Sequence, residues 1–287
     1  MELMLIYQAA ILGLVQGVTE FVPISSSAHL IIVPYFLGWQ PHTLTFDLVL
    51  HLGTALALIA FFVKDLVSYY LALVRGFLTN WLKFGKYSDR AKFGVVLLVS
   101  NVPAGLAGFY LGDLLEESFR GIAYVFWFLI LGSVLMFVAD MFFDRGVRKI
   151  EASAVEPGVE RKVSFTKGLV IGLFQCLALL PGVSRAGATI SAGMYFGLKR
   201  EDAARFSFLL SVPLVVGAAI YEITKNSINW DSFLTLPLLA GFVTSFLVGL
   251  FAIRFLLNFL KGQRLWVFVM YRVVLIISLL TLGVKIP

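Results

Sequence analysis

Apolar residues in this chain gather into runs of about 18 to 24, the length a helix needs to cross about 30 Å of hydrocarbon. No segment alternates in the manner of a membrane β-barrel strand, so the pattern predicts an all-α polytopic membrane protein. Six segments read as single spans: 46–63, 93–112, 120–143, 206–222, 232–254 and 265–284. Two apolar regions do not. Residues 4–24 and 28–38 are parted by Pro23-Ile24-Ser25-Ser26-Ser27, and 168–180 and 186–198 by Pro181-Gly182-Val183-Ser184-Arg185. The arms of the second are about 20 Å of helix each, too short to cross. Short helix, polar break and short helix predict a re-entrant hairpin, tolerated at depth only inside protein or beside a wet cavity.

Composition agrees with the pattern. Of 287 residues, 60% are hydrophobic and 14% charged, where a soluble domain carries roughly 25% charged residues. The 27 Phe and 25 Gly suit lipid-facing and helix-packing surfaces. The start Met-Glu-Leu-Met lacks a basic residue, so a cleavable signal peptide is not expected. The single cysteine, Cys176, excludes an intrachain disulfide and reads as a packing residue.

The net charge of +6 does not mark a nucleic-acid binder, because the basic residues lie in loops between apolar segments. They instead orient the spans. Loops 64–92, 144–167, 199–205 and 255–264 carry Lys and Arg and are expected inside; 113–119 and 223–231 are expected outside. Both termini then fall outside.

The two broken regions resemble each other. Gly13-Leu14-Val15-Gln16 parallels Gly172-Leu173-Phe174-Gln175, and Phe46–His51 parallels Phe206–Ser211, at a spacing of about 159 residues. One membrane domain is expected over 1–287, with repeat one about 1–143, repeat two about 164–287, and a cytoplasmic loop 144–167 between them. Residues 3–63 contain no Lys or Arg, whereas the second hairpin's flanks do. The repeats are therefore expected to be inverted, with the breaks meeting near the midplane.

Chemistry concentrates at those breaks. Gln16 and Glu20, four apart, share a helical face, and an ionisable residue in an apolar helix is expected to face a cavity. Ser25, Ser26 and Ser27 follow, then His29; serines that open a helix cap it, and the free N–H groups of its first turn attract anions. The second break adds Arg185, whose planar fork suits phosphate oxygens, with Ser184 and Thr189 as hydroxyl donors and Gly182 for close approach. Plainer readings exist for each: capping for any one serine, a structural ion pair for Glu20 and Arg185. Taken together, two helix N-termini and an arginine make an anion site that a diphosphate would satisfy. Asp47 and His51 read as outlying support, and Arg272, some eight residues into the last span, as a side chain snorkelling to the inner interface.

Residues Gln16–His29 resemble the E/Q-x-x-x-E and serine–histidine region of the bacterial undecaprenyl-diphosphatase (bacitracin-resistance) family. Pro181–Thr189 is similar to that family's P-G-x-S-R-S-x-x-T signature, and the likeness extends through Phe206–Pro213 and Tyr271-Arg272. Gln16 stands where many members have Glu, and Ala186 replaces the second signature serine. The resemblance implies hydrolysis of undecaprenyl diphosphate to the monophosphate, recycling a lipid carrier for cell-wall synthesis. It implies an outward-facing site in the bacterial inner membrane, assisted by Mg²⁺ or Ca²⁺, and it leaves room for a homodimer. By that analogy Ser26 is the nucleophile; residue chemistry alone does not pick it from Ser25 and Ser27, and direct attack by a metal-activated water is the alternative. His29 or Glu20 would take the Ser26 proton, Arg185 would stabilise the transferring phosphoryl group, and Glu20 is alternatively the metal ligand. Gln16, Ser25, Ser27, Ser184, Thr189 and Gly182 would bind the substrate.

Two rivals remain at this level. Inverted broken helices are also a transporter or flippase architecture, and fold does not decide function. A phosphatidic-acid-type phosphatase would need a second downstream histidine, but the three here are His29, His42 and His51.

Overall fold

The computed structural model describes residues 5–81, 83–119, 121–147, 158–225 and 235–281, and among them every regular element is a helix. In chain order these are α1 (Ile6–Thr19), α2 (Ser26–Leu37), α3 (Leu44–Asn80), α4 (Asp89–Ser100), α5 (Val102–Phe119) and α6 (Ile122–Val147). Then come α7 (Val159–Lys162), α8 (Phe165–Gln175), α9 (Arg185–Tyr195), α10 (Arg200–Lys225), α11 (Leu236–Phe259) and α12 (Trp266–Thr281), with short 3₁₀ turns at Phe84–Lys86 and Cys176–Leu179.

Five stretches are long and apolar enough to cross a membrane: Leu44–Asn80, Asp89–Gly112, Ile122–Phe142, Arg200–Glu222 and Leu236–Phe259. The chain is a multi-pass membrane protein. The sixth predicted span, 265–284, is represented by α12, which has 16 described residues. Both broken regions are present as pairs of short helices, α1 with α2 and α8 with α9. At 14, 12, 11 and 11 residues, each is about 21 Å long or less.

Several boundaries move. The span predicted at 46–63 is the first part of a 37-residue helix that continues through most of the predicted loop 64–92. No proline or glycine lies between Lys64 and Arg75 to interrupt backbone hydrogen bonding, so the helix runs on. Conversely, the span 93–112 is two helices, α4 and α5, joined at Asn101 just ahead of Pro103, and α5 runs through the predicted outer loop 113–119. Residues 148–157 of the loop 144–167 and residues 226–234 lie outside the described residues.

Segments assigned to the inner side do meet at one end of the bundle. Ion pairs join Arg161 to Asp89, Lys162 to Asp202, Arg205 to Asp65 and Arg200 to Asp140, at 2.6 to 2.8 Å. Asp140 also accepts the backbone N–H of Trp266 at 2.8 Å, which brings the start of α12 to the same end.

Glycines set the closest approaches, and these are reciprocal. On α1, Gly13 and Gly17 lie on the backbone of α11: a Cβ on Gly17 would sit 2.9 Å from the Ser245 carbonyl. On α8, Gly172 lies equally close on Ser100 of α4, where a Cβ would collide with its carbonyl. Without a hydrophobic drive between helices in lipid, such small-residue faces let dispersion hold them together. Each short leading helix is thus seated by glycine on a helix from the other half of the chain.

Candidate functional site

Both breaks use the same backbone device. Ser25 and Ser184, each one residue before a helix, are held at φ 79° and 75°, where a non-glycine residue is uncommon. In that conformation each hydroxyl turns back to cap its helix: Ser25 Oγ accepts from Ala28 N at 3.4 Å and Ser184 Oγ from Gly187 N at 3.1 Å. The next residue is then the first of the helix, Ser26 in one case and Arg185 in the other.

These two first residues converge on one carboxylate. Ser26 Oγ donates to Glu20 Oε2 at 2.7 Å, and Arg185 Nη2 donates to Glu20 Oε1 at 2.5 Å. Gln16 Nε2 donates to the same Oε2 at 3.0 Å. His51 Nε2 lies 3.7 Å from it, while the ring's other nitrogen bonds the Asp47 carbonyl at 2.8 Å. Since a carbonyl only accepts, that nitrogen carries the proton, which turns Nε2 toward Glu20. Glu20 is nearly enclosed, its side chain 9% exposed, so the charges around it act in a medium far less screening than water.

A cavity of about 1080 Å³ opens over this cluster. Glu20, Ser25, Ser26, Ser27, Ser184 and Arg185 line it, together with His42, Asp47, His51, Asn101 and Gln175. Most of the rest of its wall is apolar, Ile31, Trp39, Phe109 and Leu214 among it. It joins one concentrated polar patch to an oily surround, the form expected for a lipid with a charged head.

Not every residue singled out from the sequence reaches the cavity. Gln16 is fully buried behind Glu20, with Thr54 at 3.5 Å. Thr189 donates to the Arg185 carbonyl at 2.8 Å and meets Ser207 Oγ at 2.6 Å, so it braces α9 from behind. Gly182 is placed by packing: at φ 120°, with a Cβ that would fall 2.8 Å from the Val125 carbonyl, it lets the break lie against α6.

His29 is the clearest departure. The three-residue spacing from Ser26 suggests a shared face, yet both ring nitrogens are engaged elsewhere. Nδ1 bonds the Ser25 carbonyl and Nε2 the Tyr271 hydroxyl, both at 2.7 Å, so Nδ1 holds the proton and Tyr271 donates. The group that accepts from Ser26 is Glu20. Arg272 departs as well: it is completely buried and does not snorkel.

Asn101, Gln175 and His42 were not picked out from the sequence. Gln175 donates to Asn101 at 2.9 Å, and Asn101 donates to the Leu97 and Leu210 carbonyls, which ties the α4–α5 joint to α10. His42 Nε2 lies 2.6 Å from Asp47. The signal available was polarity inside an apolar run, which Asn101 and Gln175 both show.

The donor set bears on the implied divalent cation. Among the described residues, no group of three or more His, Cys, Asp or Glu is placed to hold a metal. The cavity offers instead one central carboxylate, Glu20, beside serine hydroxyls, with Asp47 and Glu222 farther along its wall. That set fits Mg²⁺ or Ca²⁺ in the mode that uses one or two carboxylates plus phosphate oxygens of a bound substrate.

Comparison with known proteins finds relatives along almost the whole chain. The family model described as bacitracin resistance protein BacA matches residues 9–278. An undecaprenyl-diphosphatase of Trichlorobacter lovleyi is 41% identical over 268 residues, covering 92% of each chain. One from Pelobacter propionicus is 40% identical over 284 residues, covering 96% of this chain and 98% of that one. Another, from Pelotomaculum thermopropionicum, is 38% identical over 285 residues, or 98% and 97%.

Proposed function

This chain belongs to the bacitracin resistance protein BacA family, and on that footing we propose how it acts as an undecaprenyl-diphosphatase. It is a membrane hydrolase that removes the terminal phosphate of undecaprenyl diphosphate, leaving undecaprenyl phosphate and inorganic phosphate. The observation that carries the mechanism is the convergence of Ser26 and Arg185 on Glu20 within a cavity whose wall is largely apolar.

The diphosphate enters over α2 and α9, facing the N-termini of both helices and the Arg185 guanidinium. Arg185 exchanges part of its contact with Glu20 for phosphoryl oxygens, drawing charge off the terminal phosphorus. Glu20, partly released, takes the Ser26 proton, and Ser26 Oγ attacks that phosphorus. The bond to the bridging oxygen breaks and undecaprenyl phosphate departs. A water, deprotonated by Glu20 after it has passed on the first proton, then releases phosphate from Ser26. Ser25, Ser27 and Ser184 supply hydroxyls to the non-reacting oxygens. Glu20 would be the protein ligand of a Mg²⁺ or Ca²⁺ ion, which when bound would offset the diphosphate's negative charge. His29 supports the first break through Ser25.

For the membrane arrangement we adopt six spans and two re-entrant hairpins in an inverted repeat, in the bacterial inner membrane with the site facing outward. The ion pairs that gather the basic segments at one end of the bundle support it. A cysteine placed at Ser88 should react only after the membrane is permeabilised; labelling in intact cells would reverse the orientation. Activity is tested by phosphate release from undecaprenyl diphosphate by purified protein in detergent, with and without chelator. Absence of release in both conditions would refute the assignment, and undiminished release with chelator would remove the cation from it.

A further inference from the structure

The last helix carries Tyr271-Arg272, a pair for which the reaction as drawn has no use. Arg272 is completely buried, and each of its hydrogen bonds ends on a backbone carbonyl. Nη1 donates to Pro23 O at 3.4 Å and Val183 O at 3.1 Å. Nη2 donates to Gly182 O at 2.5 Å, Leu129 O at 2.9 Å and Phe128 O at 3.4 Å. A cation removed from water is costly at any depth in a membrane protein, and intramembrane arginine is kept where it has work to do. Here it meets a specific need. Breaking a helix at depth leaves carbonyls with no helical partner and no water, and both breaks present theirs to this one guanidinium.

The placement matters because of what lies on the other side of each break. Pro23 is three residues before Ser26, and Val183 two before Arg185. In front, those two side chains meet on Glu20; behind, those two carbonyls meet on Arg272. The two turns, distant in sequence, are thus joined at both ends into a closed ring. The front joint must loosen when a diphosphate draws on Arg185, which leaves the rear joint to keep the turns in register. Neighbouring residues make the same connection. Tyr271 donates to His29, whose Nδ1–H holds the Ser25 carbonyl. Gly132 of α6 makes the space for the whole joint: a Cβ there would collide with the Val183 carbonyl oxygen and fall 2.6 Å from Arg272 Nη2.

We propose that Arg272 is a positioning residue for phosphoryl transfer: it holds the serine turn and the arginine turn in register from behind, without touching the substrate. The proposal rests on the diphosphatase reading of the site and adds to it the part that sets the distance between nucleophile and cation. Lysine cannot replace it, because a single ammonium centre cannot span carbonyls on two breaks and α6 as the planar fork does.

The experiment is steady-state hydrolysis of undecaprenyl diphosphate by wild type, Arg272→Lys and Gly132→Ala, with the thermal midpoint of each in detergent. Register lost by about 1 Å costs on the order of a hundredfold in turnover. Arg272→Lys is expected to lose about that much in kcat, with KM within about twofold because the cavity and Arg185 remain. Gly132→Ala, which pushes apart the Val183 carbonyl and the guanidinium bound to it while leaving charge and cavity intact, tests the same joint and is expected to lose about tenfold in kcat with KM likewise unchanged. Wild-type kcat in Arg272→Lys would overturn the proposal. So would a loss that appears only as a lower thermal midpoint or a raised KM, since that is the mark of a structural brace. If Arg272→Lys does not fold, the kcat of Gly132→Ala decides by the same criterion. Failure of wild type to hydrolyse the substrate would instead refute the diphosphatase reading.

Discussion

The two breaks are nearly the same object in backbone and opposite in chemistry. Each has a capping serine at positive φ, a helix opening at the next residue, a leading helix seated by glycine on the other half of the chain, and carbonyls gathered by Arg272. They differ in what that scaffold displays. The first shows Glu20 six residues before Ser26; the second has Leu179 six residues before Arg185. One turn therefore carries the carboxylate and the hydroxyl, the other the cation, and the cluster forms only where the two meet. Two turns of one backbone form can thus share carbonyl and cap geometry while their side chains supply complementary parts of one site.

That division of labour is open to attack, most sharply at its centre. Glu20→Gln keeps the size and some hydrogen bonding but removes the base and the partner charge. We expect turnover to fall by about a thousandfold, near the upper range for loss of a general base, in a phosphate-release assay. A variant within tenfold of wild type would move the proton acceptor elsewhere, with His51 the nearest candidate.

Exchanging the two charges, Glu20→Arg with Arg185→Glu, sharpens the contrast between holding the breaks together and doing chemistry. The ion pair can re-form, so the thermal midpoint should recover relative to either single variant, while turnover stays at least about a hundredfold down for want of an oriented cation on the substrate. Recovery of turnover along with stability would mean the pair is structural. Arg185→Lys alone, which keeps charge but loses the fork, should also sit about a hundredfold below wild type.

Gly172→Ala tests the seat of the second break. Its Cβ would strike the Ser100 backbone, and a destabilisation of about 1–3 kcal/mol is expected in detergent unfolding. Gly105→Ala, with nothing within 4 Å of its Cβ, is the matched control and should unfold like wild type. Equal behaviour would mean the helices are not in close backbone contact there.

The smallest effect is expected at His29. Because its ring joins Tyr271 to the Ser25 carbonyl, Tyr271→Phe removes one hydrogen bond and should slow turnover by no more than about tenfold, with a cost near 1 kcal/mol. A loss of a thousandfold would restore His29 to the proton path.

The sequence by itself determined the class, the breaks and the chemical inventory. Membrane immersion follows from the length of apolar runs, and each break follows from proline and serine inside an apolar run, with arms too short to cross only in the second. Glu20, Ser26 and Arg185 were legible because ionisable or hydroxyl groups at such a point need a reason to be there. What tertiary structure decided was pairing and facing. The Glu20–Arg185 contact spans 165 residues, and no local spacing encodes it. His29 has the interval that suggests Ser26, but Tyr271, brought from the far end of the chain, supplies the competing partner. Arg272 carries the same hydropathy whether it snorkels or turns inward; only the meeting of two broken helices, whose three orphaned carbonyls join two from α6 around a desolvated cation, makes inward the lower-energy choice.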